Sequence, residues 1–134
     1  MKVFLDTNVL VSAFTTRGAC ADLFREVLEA HDLLTSDRVL KELQRVLTER
    51  FDVPAAVVRD TLRLLRGHHV HETPPRPLGP PVRDPDDVWI LSAAIDARAD
   101  VLVTGDKDLV VLNPFAGIPI MTPADYLARR KQAL

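Results

Sequence analysis

The chain opens with a near-continuous apolar run, Lys2-Val3-Phe4-Leu5, that stops at Asp6. A second run, Val101-Leu102-Val103-Thr104, stops just short of Asp106. Strands buried on both faces read in this way, and a parallel sheet gathers its polar chemistry at the strands' C-terminal ends. The first strand is predicted over residues 2–6. Thr7-Asn8 breaks it and starts a short helical turn over 9–14. Gly18 punctuates. Leu23, Phe24, Val27 and Leu28 then carry the spacing of a half-buried helix. A short second strand is predicted over 31–35. Ser36 caps the next helix, whose apolar face is Val39, Leu40, Leu43, Val46 and Leu47. Pro54 suits the first turn of a helix that runs to about Gly67, and residues 69–72 read as a third strand.

Residues 73–84 contain Pro74, Pro75, Pro77, Pro80 and Pro81, which predicts an extended loop. Residues 86–98 are helical, 101–104 a strand and 108–112 one helical turn. A last strand is expected at 118–121. Thr122 caps a closing helix with Pro123 at its first position. Strands alternating with helices predict a doubly wound α/β fold with a parallel sheet and right-handed crossovers.

Length and composition narrow the picture. A chain of 134 residues is expected to be one domain spanning 1–134. Aromatics make up only 5% against 47% hydrophobic residues, so the core is aliphatic. Net charge is −2, so affinity for a polyanion has to come from a local basic patch or from bound cations. Cys20 is the only cysteine, which excludes an intrachain disulfide and a cysteine-based zinc cluster. No apolar stretch approaches the ~20 residues of a membrane span, and the first strand leaves no room for a signal peptide. A cytoplasmic protein with no membrane partner is the expectation.

The candidate chemistry lies in four acids. Asp6 and Asp106 follow the two apolar strands, Glu42 sits on the amphipathic helix, and Asp87 opens a later one. Two carboxylates about 4 Å apart repel by about 4 kcal/mol at an effective dielectric of about 20. A site that gathers several must hold a cation or protonate. Oxygen-only ligands favour Mg²⁺ or Mn²⁺, which can polarise a phosphoryl oxygen and activate water. Asn8 and Thr104, close in sequence to Asp6 and Asp106, are candidates to orient a water or a ligand carboxylate from behind. Each acid taken singly also has a plainer reading: Asp after a strand is a turn residue or helix cap, Glu42 a solvated charge, and Asp86 and Asp87 caps.

Four blocks resemble the motifs of PIN-domain nucleases. They are Phe4-Leu5-Asp6-Thr7-Asn8-Val9-Leu10, Leu40-Lys41-Glu42-Leu43, Asp84-Pro85-Asp86-Asp87-Val88-Trp89-Ile90-Leu91 and Leu102-Val103-Thr104-Gly105-Asp106-Lys107-Asp108-Leu109. They occur in the family's order across the chain. The third and fourth most resemble the branch of VapC-type toxins of toxin–antitoxin pairs. The resemblance implies a three-layer PIN-like domain, with a parallel sheet of four to five strands and helices on both faces. It implies a Mg²⁺- or Mn²⁺-dependent endoribonuclease that cuts single-stranded RNA. Asp6, Glu42, Asp87 and Asp106 map onto the acidic quartet that serves as metal ligands and catalytic group. Asp87 is preferred to Asp86 by its distance from the Val-Thr-Gly-Asp strand, and Asp108 is a peripheral acid. A homodimer and a cognate antitoxin are the implied partners. The Ala93-Ala94-Ile95 stretch and residues 124–127 are small and branched enough for close packing between protomers.

Other features carry less. Arg59, Arg63 and Arg66 share a helix face and, with Arg45, Arg50 and Arg76, are candidates for an RNA-binding patch. Their plainer reading is a solvated face. His68, His69 and His71 invite a zinc reading, with His69 and His71 on one strand face, but no third ligand has obvious spacing. Trp89 is a base-stacking candidate or, by the plainer reading, core or dimer interface. Competing functions are a non-catalytic RNA- or protein-binding PIN-like module, and phosphoryl transfer or dehalogenation through Asp6 as nucleophile. The haloacid-dehalogenase pattern wants Asp where this chain has Asn8. A receiver-like switch needs a phosphoacceptor Asp that the second strand supplies only weakly, as Asp37.

Overall fold

Strand β1 (Lys2–Leu5) is the centre of a parallel sheet in the computed structural model, which describes residues 1–72 and 85–133. After β1 come α1 (Thr7–Thr15), α2 (Ala19–Ala30), β2 (Asp32–Ser36), α3 (Asp37–Glu49), α4 (Ala55–Arg66) and β3 (His69–His71). The chain continues through α5 (Pro85–Asp96), β4 (Val101–Val103), α6 (Lys107–Val110), β5 (Ile120–Met121) and α7 (Pro123–Ala133). The proline-rich loop expected over 73–84 lies outside the described residues, as does Arg76.

The sheet order is β3-β2-β1-β4-β5, and every pairing is parallel. Val3 pairs with Leu33 on one side and with Val101 on the other. Successive strand side chains point to opposite faces. Val3, Phe4 and Leu5 are all fully buried, so both faces of β1 are covered. This is the doubly wound arrangement with helices on both faces that the alternating pattern predicts. The chain runs from β1 outward through β2 and β3, then returns across the sheet to β4. That reversal makes β1 and β4 neighbours and opens a crevice beyond their C-terminal ends.

Local sequence explains the boundaries. Helix α1 begins at Thr7, earlier than the turn predicted at 9–14, because extended Asp6 caps it and accepts the Thr7 N–H at 2.7 Å. Thr7-Asn8 therefore ends the strand and starts the helix, as the sequence predicts. Ser36 closes β2 and caps α3, its hydroxyl accepting the Val39 N–H. The predicted face of α3, Val39, Leu40, Leu43, Val46 and Leu47, is buried throughout. Pro54 stands at the cap of α4, one place before its first residue. The last strand is shorter than expected, two residues at Ile120–Met121, because Ile118 is drawn into a bridge with Phe115. Thr122 accepts the Asp125 N–H at the start of α7, as its sequence predicts.

Ala93 and Ala94 are 1% exposed and belong to the chain's own core, as does Tyr126 of α7, which packs against α2. The Ala93-Ala94 pair that the sequence offered for packing between protomers is therefore used within one protomer. Leu43 is fully buried at the centre of α3. Leu43→Ala is expected to destabilise the fold by about 2–5 kcal/mol. Leu64→Ala, at a position about half exposed, is expected to change stability by less than about 0.5 kcal/mol. Urea unfolding of the two variants beside the parent checks this contrast.

Candidate functional site

The ends of β1 and β4 are joined by side chains as well as by the sheet. Thr104 donates its hydroxyl to Asp6 Oδ2 at 2.7 Å and accepts the Asp106 N–H at 3.0 Å. Asn8 Oδ1 accepts the Gly105 N–H at 3.2 Å. Asp106 caps α6 by accepting the Asp108 N–H at 2.9 Å. Both acids at the strand exits thus serve as helix caps, which is the plainer sequence reading, and are also held against each other through Thr104. Thr104 thus holds the Asp6 carboxylate from behind. Asn8 instead fixes the backbone of the loop after β4.

Asp6 is 7% exposed. Burial pushes its carboxyl above the usual range, and the charge of Asp106 pushes the same way. The Thr104 hydroxyl and the Thr7 N–H oppose this by stabilising the anion. Asp6 also stands at the positive end of α1, a favourable place for negative charge.

Asp6 opens into a cleft of about 570 Å³. Asp37, Arg38, Lys41 and Glu42 of α3 form one wall, and Asp87 and Ile90 of α5 contribute to another. Asp87 is 8% exposed. Three of the four sequence-selected acids, Asp6, Glu42 and Asp87, therefore share one cleft. Asp106 does not line it, but its charge acts on Asp6. Glu42 is half-exposed and turned along its own helix, where the Arg45 guanidinium grips it through two nitrogens. Arg45, followed by Arg50 and Arg38, holds the Glu42 carboxyl below its usual range. Arg45 is also paired with Glu49.

The sequence reading missed the cations of this cleft. Arg38 and Lys41 line it, and the signal was their position four and one residues before Glu42 on the same helix. Arg59, Arg63 and Arg66 lie elsewhere. With Gln44 and Thr48 they line a separate groove of about 670 Å³ between α3 and α4. Asp108 is exposed in the first turn of α6. Asp86 lies within α5, and its side chain is outside the described residues. His69 Nε2 stands 3.9 Å from Asp32 Oδ1 across the sheet edge.

The donors offered to a cation are carboxylate oxygens, the chemistry of a hard divalent ion. A buried carboxylate with a second acid beside it keeps its charge at lower cost when a cation is near. By donor type these residues suit a hard divalent cation. Among the described residues, however, no three His, Cys, Asp or Glu side chains stand close enough to hold a metal ion. Glu42 accounts for part of this spread, because Arg45 holds its carboxylate along α3.

The PIN domain family model matches residues 2–108. The chain belongs to the PIN domain family. Two solved structures share its fold at 16% identity. One is VapBC2 from Rickettsia felis bound to a DNA fragment from its promoter, with a TM-score of 0.64 over 91% of this chain and 98% of that one. The other is Mycobacterium tuberculosis VapC20, a toxin that cleaves the sarcin–ricin loop, with a TM-score of 0.61 over 87% and 98%. By sequence, no curated protein matches this chain.

Two outcomes follow from the Asp6 network. Thr104→Val strips a buried carboxylate of its hydroxyl donor and is expected to cost about 1–3 kcal/mol in chemical unfolding, while Thr104→Ser costs far less. Because folding raises the Asp6 pKa, its protonated form stabilises the fold fully below the ordinary Asp value. That contribution is lost as pH climbs through the raised value. Without divalent ions, Asp6→Asn is therefore expected to melt higher than the parent at neutral pH, and the gap is expected to close on acidification. Thermal melts across pH check the sign.

Proposed function

We propose that this chain is a divalent-metal-dependent endoribonuclease and the toxin of a toxin–antitoxin pair. The observation that carries the reading is Asp6, buried at the β1–β4 junction and clamped by Thr104, facing a cleft shared with Glu42 and Asp87. Membership of the PIN domain family and likeness of fold to VapC20, itself an RNA-cleaving toxin, support it. Asp6, Glu42, Asp87 and Asp106 are the residues that would hold Mg²⁺ or Mn²⁺. Such an ion, when bound, polarises a phosphoryl oxygen and lowers the pKa of a bound water. The chain's own residues fix the frame. Thr104 orients Asp6, Asn8 holds the loop that presents Asp106, and Asp86 and Asp108 flank the acids in sequence. Asp6 as a covalent nucleophile fits less well, because both its oxygens already accept hydrogen bonds in a buried setting.

The partners follow from this reading. Residues 1–134 act as one cytoplasmic nuclease domain. Among the described residues, no helix is long and apolar enough to cross a membrane. The acids of the cleft suit a basic side chain of an antitoxin, directed at Asp6 and Asp106. The likeness to VapBC2 supports such a partner. The arginine-lined groove between α3 and α4 offers cations to a length of RNA backbone. Exposed Val57 and Leu64, seven residues apart on one face of α4, supply apolar surface for a homodimer.

Cleavage of a mixed panel of single-stranded and duplex RNAs, with Mg²⁺, Mn²⁺ or EDTA, tests the activity. Single strands are expected to be cut with either ion and spared with EDTA. Asp6→Asn is expected to lower the rate at least about a hundredfold while remaining folded. Wild-type cleavage by that variant would sink the proposed role of Asp6. Replacing Arg59, Arg63 and Arg66 together by Ala is expected to weaken RNA binding. It should also lower the slope of log affinity against log salt by about 0.7 for each phosphate that is no longer neutralised. An unchanged slope would mean that this face is solvated surface only.

A further inference from the structure

The cleft has to admit a polyanion past its own carboxylates. The cations lining it, among the described residues, are Arg38 and Lys41. Arg38 does not simply extend into water: its guanidinium lies over the Trp89 ring, 5.2 Å from the centroid. Trp89 is two residues beyond Asp87 on α5, whereas Arg38 precedes Glu42 by one turn on α3. The contact therefore ties together α3 and α5, which supply Glu42 and Asp87 to the cleft; Arg38 lines the cleft, and Trp89 stands beside that lining. Arg38 is exposed and Trp89 partly exposed. The buried hydrophobic side chains of α5 include Leu91, Ala93 and Ala94, whereas Trp89 is only partly buried.

A guanidinium held over an aromatic face presents a flat π surface with a positive charge already oriented beside it. An unpaired nucleotide offers the complement, a base with a π face and a phosphate. We propose that Arg38, on the lining of the cleft, and Trp89, against which it rests, form a platform beside the cleft, on which an unpaired RNA base near the cleaved bond stacks while the Arg38 guanidinium takes the adjoining phosphate. The substrate class rests on the ribonuclease reading above. The platform itself rests on the contact and its place at the acids. It makes Arg38 and Trp89 positioning residues, acting on how the strand is held and not on the bond that breaks.

Trp89 is the only tryptophan in the chain, so its emission reports on this one place. Asp6→Asn protein, titrated in Mg²⁺ with a short single-stranded oligoribonucleotide, is expected to show saturable quenching. An oligonucleotide of equal length with abasic positions keeps its phosphates. It is expected to bind at least about fivefold more weakly and to leave the emission unchanged. In the otherwise wild-type enzyme, Arg38→Ala and Trp89→Leu are expected to raise KM at least about fivefold and to change kcat far less, with Trp89→Phe partly restoring KM. Should Trp89→Leu fail to fold, Arg38→Ala and the abasic comparison decide without it. RNA cleaved by Arg38→Ala at the wild-type KM, with bound RNA leaving the emission untouched, would overturn the platform and leave the ribonuclease reading standing. Quenching that needs bases, in a wild-type protein that cuts no RNA with either ion, would support the platform and remove the activity. Neither quenching nor cleavage would overturn both.

Discussion

The hydrogen bond from Thr104 to Asp6 joins residues 98 positions apart and fixes the relation between the two central strands where chemistry can occur. A carboxylate this deeply buried is tolerated only with donors in place. Thr104 and the Thr7 backbone supply them, and each also performs a second task. Thr104 positions the Asp106 backbone, and the Thr7 N–H begins α1. The acid is therefore part of the frame as well as of the cleft. Moving it would disturb a strand end, a helix start and a loop together.

Around that fixed point the charges are arranged unequally. Asp6 is held rigidly and pushed towards its neutral form, whereas Glu42 is half-exposed, firmly ionised and paired with Arg45. Exposed ion pairs of this kind contribute little to stability. A divalent ion in the cleft would compete with Arg45 for Glu42 at small cost. The cleft thus combines one buried, clamped acid, Asp6, with one half-exposed acid held by an ion pair, Glu42, and with Asp87 in the first turn of α5. Self-repulsion among the acids is eased by placing Asp6 and Asp87 in or beside the first turns of helices, where the peptide dipoles favour negative charge.

The fold was legible because its strands are buried on both faces and its helices on one. Apolar runs at 2–5 and 101–103 and the Val39–Leu47 stripe leave few alternatives. Helix α1 was legible as a turn started by Thr7-Asn8, but its first residue was not, because the Asp6 cap that sets it is a side-chain contact. Clustering of Asp6, Glu42 and Asp87 was legible only through strand order and motif register, since no local pattern brings residues 6, 42 and 87 together. The Arg45 grip on Glu42 follows from spacing of three on a helix and was within reach. The Arg38–Trp89 contact was not, because it depends on how α3 and α5 face each other across the cleft.

Helix α3 shows how one amphipathic segment divides several tasks. Val39, Leu43, Val46 and Leu47 bind it to the core and leave no freedom of rotation. With that face fixed, Arg38 and Glu42 line the cleft, while Gln44 and Thr48 face the groove that Arg59, Arg63 and Arg66 line. The two surfaces are separated around the helix by about a third of a turn, at about 100° per residue. In the proposed reaction, a strand reaching from the cleft to the arginines of α4 would have to bend around α3, a path a flexible single strand would follow more readily than a stiff duplex. The preference for unpaired substrate in the proposed reaction would then come from the packing of α3 as much as from the width of the cleft.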